Sequence, residues 1–201
     1  LQPGDIVNVD NAFTFDVSPN VSDHDVIIFD LNASDGSDTW TSQVYIVTYA
    51  PDLKITDFVV FDPTGNENGR IDPGETVYLT LTVLNDGSAD ALNLMGNLLC
   101  ENEGITVISA AQPYGDLLIG GSSEMTFEVY TDPSTQAGIP VSFDLNLSGD
   151  GGISVTTSYE TVVGQLIALV LDLDPSNHSG PAIYEAFANM DIYAEYKLSL
   201  I

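Results

Sequence analysis

Hydrophobic and polar residues alternate along most of residues 51–164, which is the period-2 pattern of strands with one buried face. The segments that show it, or that are rich in β-branched and aromatic residues, are LKITDFVVFD, ETVYLTLTVLND, ALNLMGNLLCE, ITVISAAQ, SEMTFEVYTD, IPVSFDLNLSG and ISVTTSYETVV. Separators such as NDGSAD and GDGG supply the Gly, Asn and Asp that tight turns need. The pattern predicts a mainly β fold, with an immunoglobulin-like antiparallel β-sandwich over residues 51–164.

Part of this pattern occurs twice, at a spacing of about 112 residues. The matching landmarks are Gly4 and Asp5 with Gly115 and Asp116, TFDV from Thr14 with TFEV from Thr126, and FDLN from Phe29 with FDLN from Phe143. Each copy then runs into an alternating strand. The repeat predicts tandem modules: residues 1–50 form the C-terminal half of one sandwich, and residues 51–164 form a complete one.

The pattern changes in residues 165–201. QLIALVLDLD is a nearly continuous apolar run, SGPAIYEAFANM has apolar residues at helical spacing, and DIYAEYKLSL alternates again. This order predicts a truncated β-α-β segment that begins an α/β domain. Asp172 and Asp174 end the first strand near His178, where open α/β sheets bind ligands. Neither a dinucleotide glycine fingerprint nor a Walker lysine accompanies them, so a structural role is favoured.

The charge balance restricts the partners. Thirty Asp and Glu residues face three Lys and Arg, which gives a formal net charge of −27. Such a field repels nucleic acid and anionic lipid, and no apolar segment reaches the ~20 residues of a membrane span. We therefore expect neither nucleic acid binding nor membrane insertion. A chain this acidic repels itself unless cations or salt offset the charge, although the carboxylates could also serve solubility alone.

No catalytic constellation is visible in the sequence. Cys100 is the only cysteine, so an intrachain disulfide is excluded, and its setting in NLLC favours a core thiol over a nucleophile. The two histidines, His24 and His178, fall in predicted loops of different modules. No spacing ties either of them to Cys100 or to a serine. The chain is therefore expected to be non-catalytic.

The stretch DPTGNENGRIDPGE, at residues 62–75, carries many oxygen donors between two predicted strands. Calcium takes six to eight oxygens, and a short loop can supply them from alternate residues around a sharp glycine turn. With Gly69 at position 6 of a twelve-position calcium loop, Ile71 anchors the loop in the core and Glu75 can bind through both oxygens. The predicted Ca²⁺ ligands are Asp62, Asn66, Asn68, Arg70 through its main-chain carbonyl, Asp72 and Glu75.

The match to a calcium loop fails at its first position, where Thr64 stands in place of an Asp. Asp62 could take that role in a wider loop, but no helices flank it, so an EF-hand is excluded. The alternative interpretation is an Asn-Gly and Pro-Gly turn with solvated carboxylates. A second acidic stretch, from Asp30 to Asp38, lacks a terminal Glu and is interpreted as a turn.

The sequence PDLKITDFVVFDPTGNENGRIDPGETVYLTLTVLNDGSADALNL resembles the Ig-like repeats of large secreted or cell-surface bacterial proteins. These include repeats beside gingipain-like cysteine peptidases and repeats exported by the type IX secretion system. The signature is GNENGRIDPGE followed by a strand and LNDGSADA; it covers residues 51–164, and residues 1–50 through the internal repeat. The resemblance implies an extracellular or cell-surface location and calcium binding at five residues: Asp62, Asn66, Asn68, Asp72 and Glu75.

These observations favour a non-catalytic structural or adhesive spacer, stiffened by calcium, in a secreted cell-surface bacterial protein. Its expected partners are other modules of the same polypeptide or neighbouring surface-protein chains. One alternative is an accessory region of an extracellular cysteine peptidase, or another hydrolase, whose catalytic domain lies outside the 201 residues. Another is a subunit of a surface layer or an extracellular filament.

Overall fold

The structure is a computed structural model that describes residues 6–165, 168–171, 180–189 and 194–197. Its elements, in chain order, are β1 (Val26–Ser34), β2 (Thr39–Val47), β3 (Leu53–Phe61), β4 (Thr76–Asn85), β5 (Ala91–Cys100), β6 (Ile105–Val107), β7 (Ala111–Leu117), β8 (Ser122–Thr131), β9 (Pro140–Ser148), β10 (Ser154–Val162), β11 (Ala168–Leu171), α1 (Gly180–Ala188) and β12 (Ala194–Lys197). A single 3-10 turn, Asp150–Gly152, connects β9 to β10. The predicted mainly β fold is confirmed.

Two four-stranded antiparallel sheets enclose one hydrophobic core, in the order β10-β9-β5-β7 and β3-β4-β8-β6. The alternating pattern buries every second side chain of the central strands, as the cross-sheet core requires. β4 contributes Val77, Leu79, Leu81 and Val83, and β9 contributes Val141, Phe143, Leu145 and Leu147. Each fully buried side chain of this kind stabilises the fold by roughly 1.5 to 3 kcal/mol. The arrangement is β-sandwich-like.

The predicted single strand over residues 105–112 is wrong, because the chain changes sheets within it. β6 pairs with β8 in one sheet, and β7 pairs with β5 in the other. Alternation alone cannot reveal such a crossing, since each short piece keeps the same local period. β7 also includes Pro113, which has no N–H to donate; β7 is the edge strand of its sheet, where this is tolerated.

The N-terminal part of the described chain contains one antiparallel hairpin, formed by β1 and β2. Residues 6–25 form no strand, although the repeat aligns Thr14 with Thr126 of β8. β8 is held as a strand by β4 and β6, which pair on either side of it. Residues 6–50 contain no counterpart of those two strands, so the backbone of this segment lacks the neighbours that would order it as a strand.

A hydrogen-bonded junction connects the hairpin to the sandwich. The Asp23 carboxylate accepts hydrogen bonds from the Ala50 N–H, at 2.9 Å, and from the Ser88 hydroxyl. The Ser88 N–H donates to the Ala50 carbonyl at 3.1 Å. Gly87 allows the close approach, because a Cβ there would lie 2.3 Å from the Ala50 oxygen. The turn after β4 therefore forms hydrogen bonds with the chain on both sides of the hairpin, at Asp23 and at Ala50.

Loss of the Asp23 carboxylate is expected to release the hairpin from the sandwich. The Ser88 hydroxyl, followed by the Ala50 N–H, lowers the pKa of Asp23. Because the folded pKa is depressed, ionised Asp23 stabilises the junction at neutral pH, and this contribution fades as the pH falls below the ordinary value of 3.8. In Asp23→Ala, ¹⁵N relaxation should give β1 and β2 a shorter rotational correlation time than the sandwich at pH 7. The exposed Asp16→Ala should leave one shared correlation time; equal values in both variants would contradict the assignment.

The described C-terminal elements are β11, α1 and β12. β11 pairs in parallel with β12, from Ala168 opposite Ala194 to Leu171 opposite Lys197. α1 lies between them in sequence, and the rings of Tyr184 and Tyr196 are 5.8 Å apart. Other parts of the predicted segment lie outside the described residues, namely Asp172, Asp174, His178, Ser179 and Met190. Its continuation into an α/β domain stays a prediction.

Candidate metal centre

The loop of residues 62–75 connects β3 to β4 at one end of the sandwich. Ile71 is only 1% exposed and belongs to the hydrophobic core, so the predicted anchoring role of this residue is confirmed. On the solvent side, Glu67 and Gly69 have φ angles of 57° and 71°, which turn the chain back on itself. The polar side chains between these points are thereby brought together.

Asp62 holds the loop backbone. Its side chain is 2% exposed, and its Oδ2 and Oδ1 accept hydrogen bonds from the Asn68 N–H at 3.1 Å and the Gly69 N–H at 3.2 Å. A buried carboxylate is stable only with such donors. The structure therefore gives Asp62 an internal structural role in the loop.

Asp72 lies among side-chain amides. The Nδ2 atoms of Asn66 and Asn68 both donate to Asp72 Oδ2, at 2.8 and 2.6 Å. Asn66 also donates its backbone N–H to Glu75 Oε1 at 3.2 Å. The structure thus brings together four of the predicted ligands: Asn66, Asn68, Asp72 and Glu75.

Glu75 has an oxygen without a partner. Its Oε2 is buried and accepts no hydrogen bond from any described residue. Gly65 lies directly against this carboxylate, since a Cβ on Gly65 would be 2.3 Å from Cδ and 2.5 Å from Oε2. Leaving a charged oxygen buried and unpaired is costly, so a positive partner at this position would be favourable.

The remaining loop residues face elsewhere. The Arg70 side chain donates from Nη1 to Gln165 Oε1 at 2.7 Å, so only its main-chain carbonyl could serve as the predicted ligand. The Thr64 hydroxyl donates to the Thr76 carbonyl at 3.2 Å and ties the loop to the start of β4. This bond accounts for a threonine at the position where a calcium loop has an aspartate.

The loop offers two carboxylates and several neutral oxygens to a hard cation such as Ca²⁺. Within the part of the chain that the structure describes, no three Asp, Glu, His or Cys side chains come close enough to share one ion. An ion here would therefore rely on the carboxylates of Asp72 and Glu75 together with neutral oxygens. Side-chain amides can supply these, because each carries an acceptor oxygen that a half-turn exchanges with its NH₂ group.

The second acidic stretch, predicted to be a turn from Asp30 to Asp38, is a hydrogen-bonded turn only from Asp35 to Asp38, because its first five residues belong to β1. Asp35 Oδ1 accepts from the N–H groups of Ser37 and Asp38, at 2.9 and 2.8 Å, and these bonds lower the Asp35 pKa. Asp30 lies on β1 and accepts from Gln43 Nε2 of β2 at 2.8 Å. Each of these carboxylates thus has a partner from the protein itself.

The residues considered for nucleophilic chemistry lie apart. Cys100 ends β5 and packs partly against the core, and burial raises the pKa of its thiol, which disfavours the thiolate. His24 lies at the junction, where its Nδ1 is 3.1 Å from Asp23 Oδ2 and its ring meets that of Tyr49 edge-on. His178 lies outside the described residues.

Comparison with known proteins assigns no family. No family profile and no curated protein matches the chain. Among solved structures, a FixG-related protein from Vibrio parahaemolyticus is similar at 10% identity and a TM-score of 0.31, over 54% of this chain and 96% of that one. A family 123 glycoside hydrolase from Clostridium perfringens is similar at 13% identity and a TM-score of 0.30, over 61% of this chain and 28% of that one.

No helix in the described segments is both long and apolar enough to cross a membrane.

Proposed function

We propose that the chain is a non-catalytic structural region of a secreted, cell-surface protein, whose immunoglobulin-like modules are stiffened by calcium bound in the loop of residues 62–75. The observation that carries the proposal is the buried Oε2 of Glu75, which accepts no hydrogen bond from the described residues. The same loop holds Asp72, whose carboxylate accepts from the side-chain amides of Asn66 and Asn68. A cation at this position would neutralise both carboxylates and connect the middle of the loop to its end.

The ligands would come from the middle and the C-terminal end of the loop. Asp72 and Glu75 supply the charge, and neutral oxygens come from the side chains of Asn66 and Asn68 and from the Arg70 carbonyl. Asp62 is left out of this set because no three carboxylates of the described residues come close enough to share one ion, and its oxygens accept from the loop backbone instead. The loop with Asp62 as its internal brace is therefore the simpler arrangement.

The composition of this site supports an extracellular location. Calcium affinity rises with the number of charged ligands, and extracellular modules have dissociation constants of about 10⁻⁴ to 10⁻³ M. Two available carboxylates, supported by amides, suit that range. The formal net charge of −27 adds a general demand for cations.

Two features support a tandem, spacer-like arrangement. The order β3-β4-β8-β6, and the β10-β9-β5 part of the sheet β10-β9-β5-β7, are compatible with the orders ABED and GFC of immunoglobulin-like sandwiches; β7 has no counterpart in them. The FDLN segments of the two sequence copies occupy equivalent positions, in the first strands of the β1-β2 and β9-β10 hairpins. The hydrogen-bonded junction at Asp23 would limit bending between successive modules.

Calcium binding would also affect the chain that leaves the sandwich. The Ile71 carbonyl accepts a hydrogen bond from the Gly164 N–H at 2.6 Å, and Arg70 contacts Gln165. The loop therefore touches the start of the segment that leads to β11. Ordering the loop would stiffen both ends of this connection.

Thermal unfolding with and without calcium tests the proposal. A ligand present at about twenty times its dissociation constant stabilises the folded state by about 1.8 kcal/mol, which corresponds to a midpoint increase of several degrees. We expect at least this increase in 20 mM CaCl₂, about twenty times the weakest dissociation constant of extracellular modules, relative to EDTA, and no comparable increase when NaCl of the same ionic strength replaces CaCl₂. Equal midpoints in calcium and in EDTA would refute the calcium proposal.

Adding a methyl group at Gly65 is expected to weaken calcium binding. Because the new Cβ would lie 2.3 to 2.5 Å from the Glu75 carboxylate atoms, the carboxylate must move away in Gly65→Ala. We expect an affinity loss of at least about tenfold, equivalent to 1.4 kcal/mol, by isothermal titration calorimetry. The neighbouring Thr64→Ala, which removes only a bond to the Thr76 carbonyl, is the control and should bind within about threefold of the parent chain. Equal affinities in the two variants would argue against Glu75 as a ligand.

A further inference from the structure

The hairpin of β1 and β2 has a face that is polar from Asp30 to the tip, although Val26, Ile28, Tyr45 and Val47 are exposed at its base, and an opposite, mainly apolar face. Alternate residues on the polar face form cross-strand pairs such as Asp30 with Gln43. The residues on the apolar face are Ile27, Phe29, Leu31, Ala33, Trp40, Val44 and Ile46, with one polar residue, Ser42, opposite Leu31. Several of them are exposed, including Leu31, Val44 and Trp40, which is 56% exposed. Water-facing side chains of this size in a contiguous face indicate a binding surface.

The β9-β10 hairpin is a second copy of this hairpin, and its apolar face is buried in the core of the sandwich. Phe143 and Leu145 of β9 correspond to Phe29 and Leu31, and both are fully buried. The polar faces correspond as well, since Ser158 donates to Asp144 at 2.7 Å, where Gln43 donates to Asp30 in the first hairpin. Among the described residues, the face of the second hairpin is covered, whereas on the first the ring of Phe15 lies 4.8 Å from that of Phe29, and Leu31, Val44 and Trp40 stay exposed.

Two kinds of contact cover the copy. The apolar face of β9 and β10 shares one core cluster with residues of β4 and β8, and Phe58 of β3 lies against Phe143 and Tyr159, with ring centroids 6.1 and 3.9 Å apart. The outer edge of β9 pairs with β5, with Leu98 opposite Leu145 and Cys100 opposite Phe143. Among the described residues, β1 pairs with β2 alone, so its outer edge carries unpaired backbone groups along the same stretch.

We propose that the apolar face of the first hairpin and the outer edge of β1 bind a half-sandwich equivalent to residues 51–114 of this chain. This occupant would supply a β5-like strand, antiparallel to β1, and β3-like and β4-like strands whose apolar side chains cover Leu31, Val44 and Trp40. The inference rests on the tandem-module part of the proposed function. It adds which strands of the partner would contact the hairpin and which hairpin residues they would cover.

A second copy of this chain is a poorer occupant. In that copy, β5 already pairs with β9 and β7, and β4 pairs with β3 and β8, so neither strand has a free edge. Their apolar side chains already lie in the core of their own sandwich. A formal net charge of −27 on each chain further opposes self-association.

Trp40 gives a direct test, because it is the only tryptophan in the chain. In the first chimaera, residues 51–114 precede Gly4, so that Gly4 and Asp5 take the places of Gly115 and Asp116. In the second, residues 26–47 replace residues 140–162 of the full chain, and Trp40→Phe at the native position leaves the transplanted tryptophan as the only one. We expect Trp40 of the first chimaera, and the transplanted tryptophan of the second, to emit at shorter wavelength. Acrylamide quenching should fall several-fold relative to the parent chain.

Paired variants separate covering of the apolar face from general folding. Leu31→Asp places a charge on the apolar face and should restore strong quenching in the first chimaera, whereas Asn32→Asp, on the opposite face, should not. Exposed tryptophan in both chimaeras would overturn the proposal. A dimer of the parent chain with protected Trp40, detected by sedimentation, would overturn the chosen occupant. Calcium titration of the parent chain is a separate measurement, so failure of this inference can be distinguished from failure of the calcium proposal.

Discussion

Replacing Glu75 with glutamine is expected to destabilise the sandwich in calcium and to leave it unchanged, or slightly more stable, in EDTA. Glutamine keeps an oxygen that can accept from the Asn66 N–H, but it removes the negative charge and one of the two ligand oxygens. In calcium the loss should be about 1 to 2 kcal/mol, most of the stabilisation by the bound ion. In EDTA the same change removes one charge from a strongly acidic chain, which relieves repulsion.

The contrast between the two conditions makes this prediction specific to calcium. Thermal unfolding of Glu75→Gln and of the parent chain, each in CaCl₂ and in EDTA, gives the four midpoints that are needed. Glu160→Gln, at an exposed position on β10, removes the same charge away from the loop and should keep the full calcium response. If Glu75→Gln lowers the midpoint equally in both conditions, Glu75 has a structural role and the proposed ion site is wrong.

Truncation of Asn85 is expected to have the largest effect on stability among the polar substitutions considered. The Asn85 side chain is fully buried; its Nδ2 donates to the carbonyls of Ala89 at 2.8 Å and Leu117 at 3.1 Å. Its Oδ1 accepts from the N–H groups of Asp52 and Gly87, both at 3.2 Å. Asn85→Ala would leave buried backbone groups without partners, at a cost of about 2 to 4 kcal/mol.

Urea unfolding measures this cost, and the isosteric Asn85→Asp sharpens the interpretation. A carboxylate at this position would face the carbonyls of Ala89 and Leu117, so we expect Asn85→Asp to lower stability at pH 7 at least as much as Asn85→Ala. Asn20→Ala, at an exposed position, should change stability by less than about 0.5 kcal/mol. A comparably small change in Asn85→Ala would show that water replaces the lost bonds.

The loop shows how far sequence reasoning reaches at the candidate site. The spacing around Gly69 predicted four residues that the structure brings together, Asn66, Asn68, Asp72 and Glu75. Such a prediction is possible because turn glycines and alternate oxygen donors are local features of the sequence. The spacing could not assign the hydrogen bonds of Asp62, which accepts from two backbone N–H groups inside the loop. For this reason Asp62→Ala would loosen the loop with or without calcium, and it is a poor probe of the ion.

Asn85 was missed by the sequence analysis. In the sequence it appears as one residue of NDGSAD, a typical turn. Its importance depends on Asp52 and Leu117, which are far from it in the chain and are brought close only by the pairing of strands. The only available signal was an Asn before Asp-Gly at the end of a strand, which also suits an ordinary surface turn.

The sequence by itself determined the mainly β fold, the strands of residues 51–164, the repeated hairpin and the polar loop, because these follow from short-range alternation and turn chemistry. Only the tertiary structure decided that residues 105–117 contribute to both sheets and that the repeated hairpins differ in covering. It alone located the unpartnered oxygen of Glu75. Such features depend on which distant residues meet, and burial and hydrogen bonding are set by those contacts rather than by local sequence.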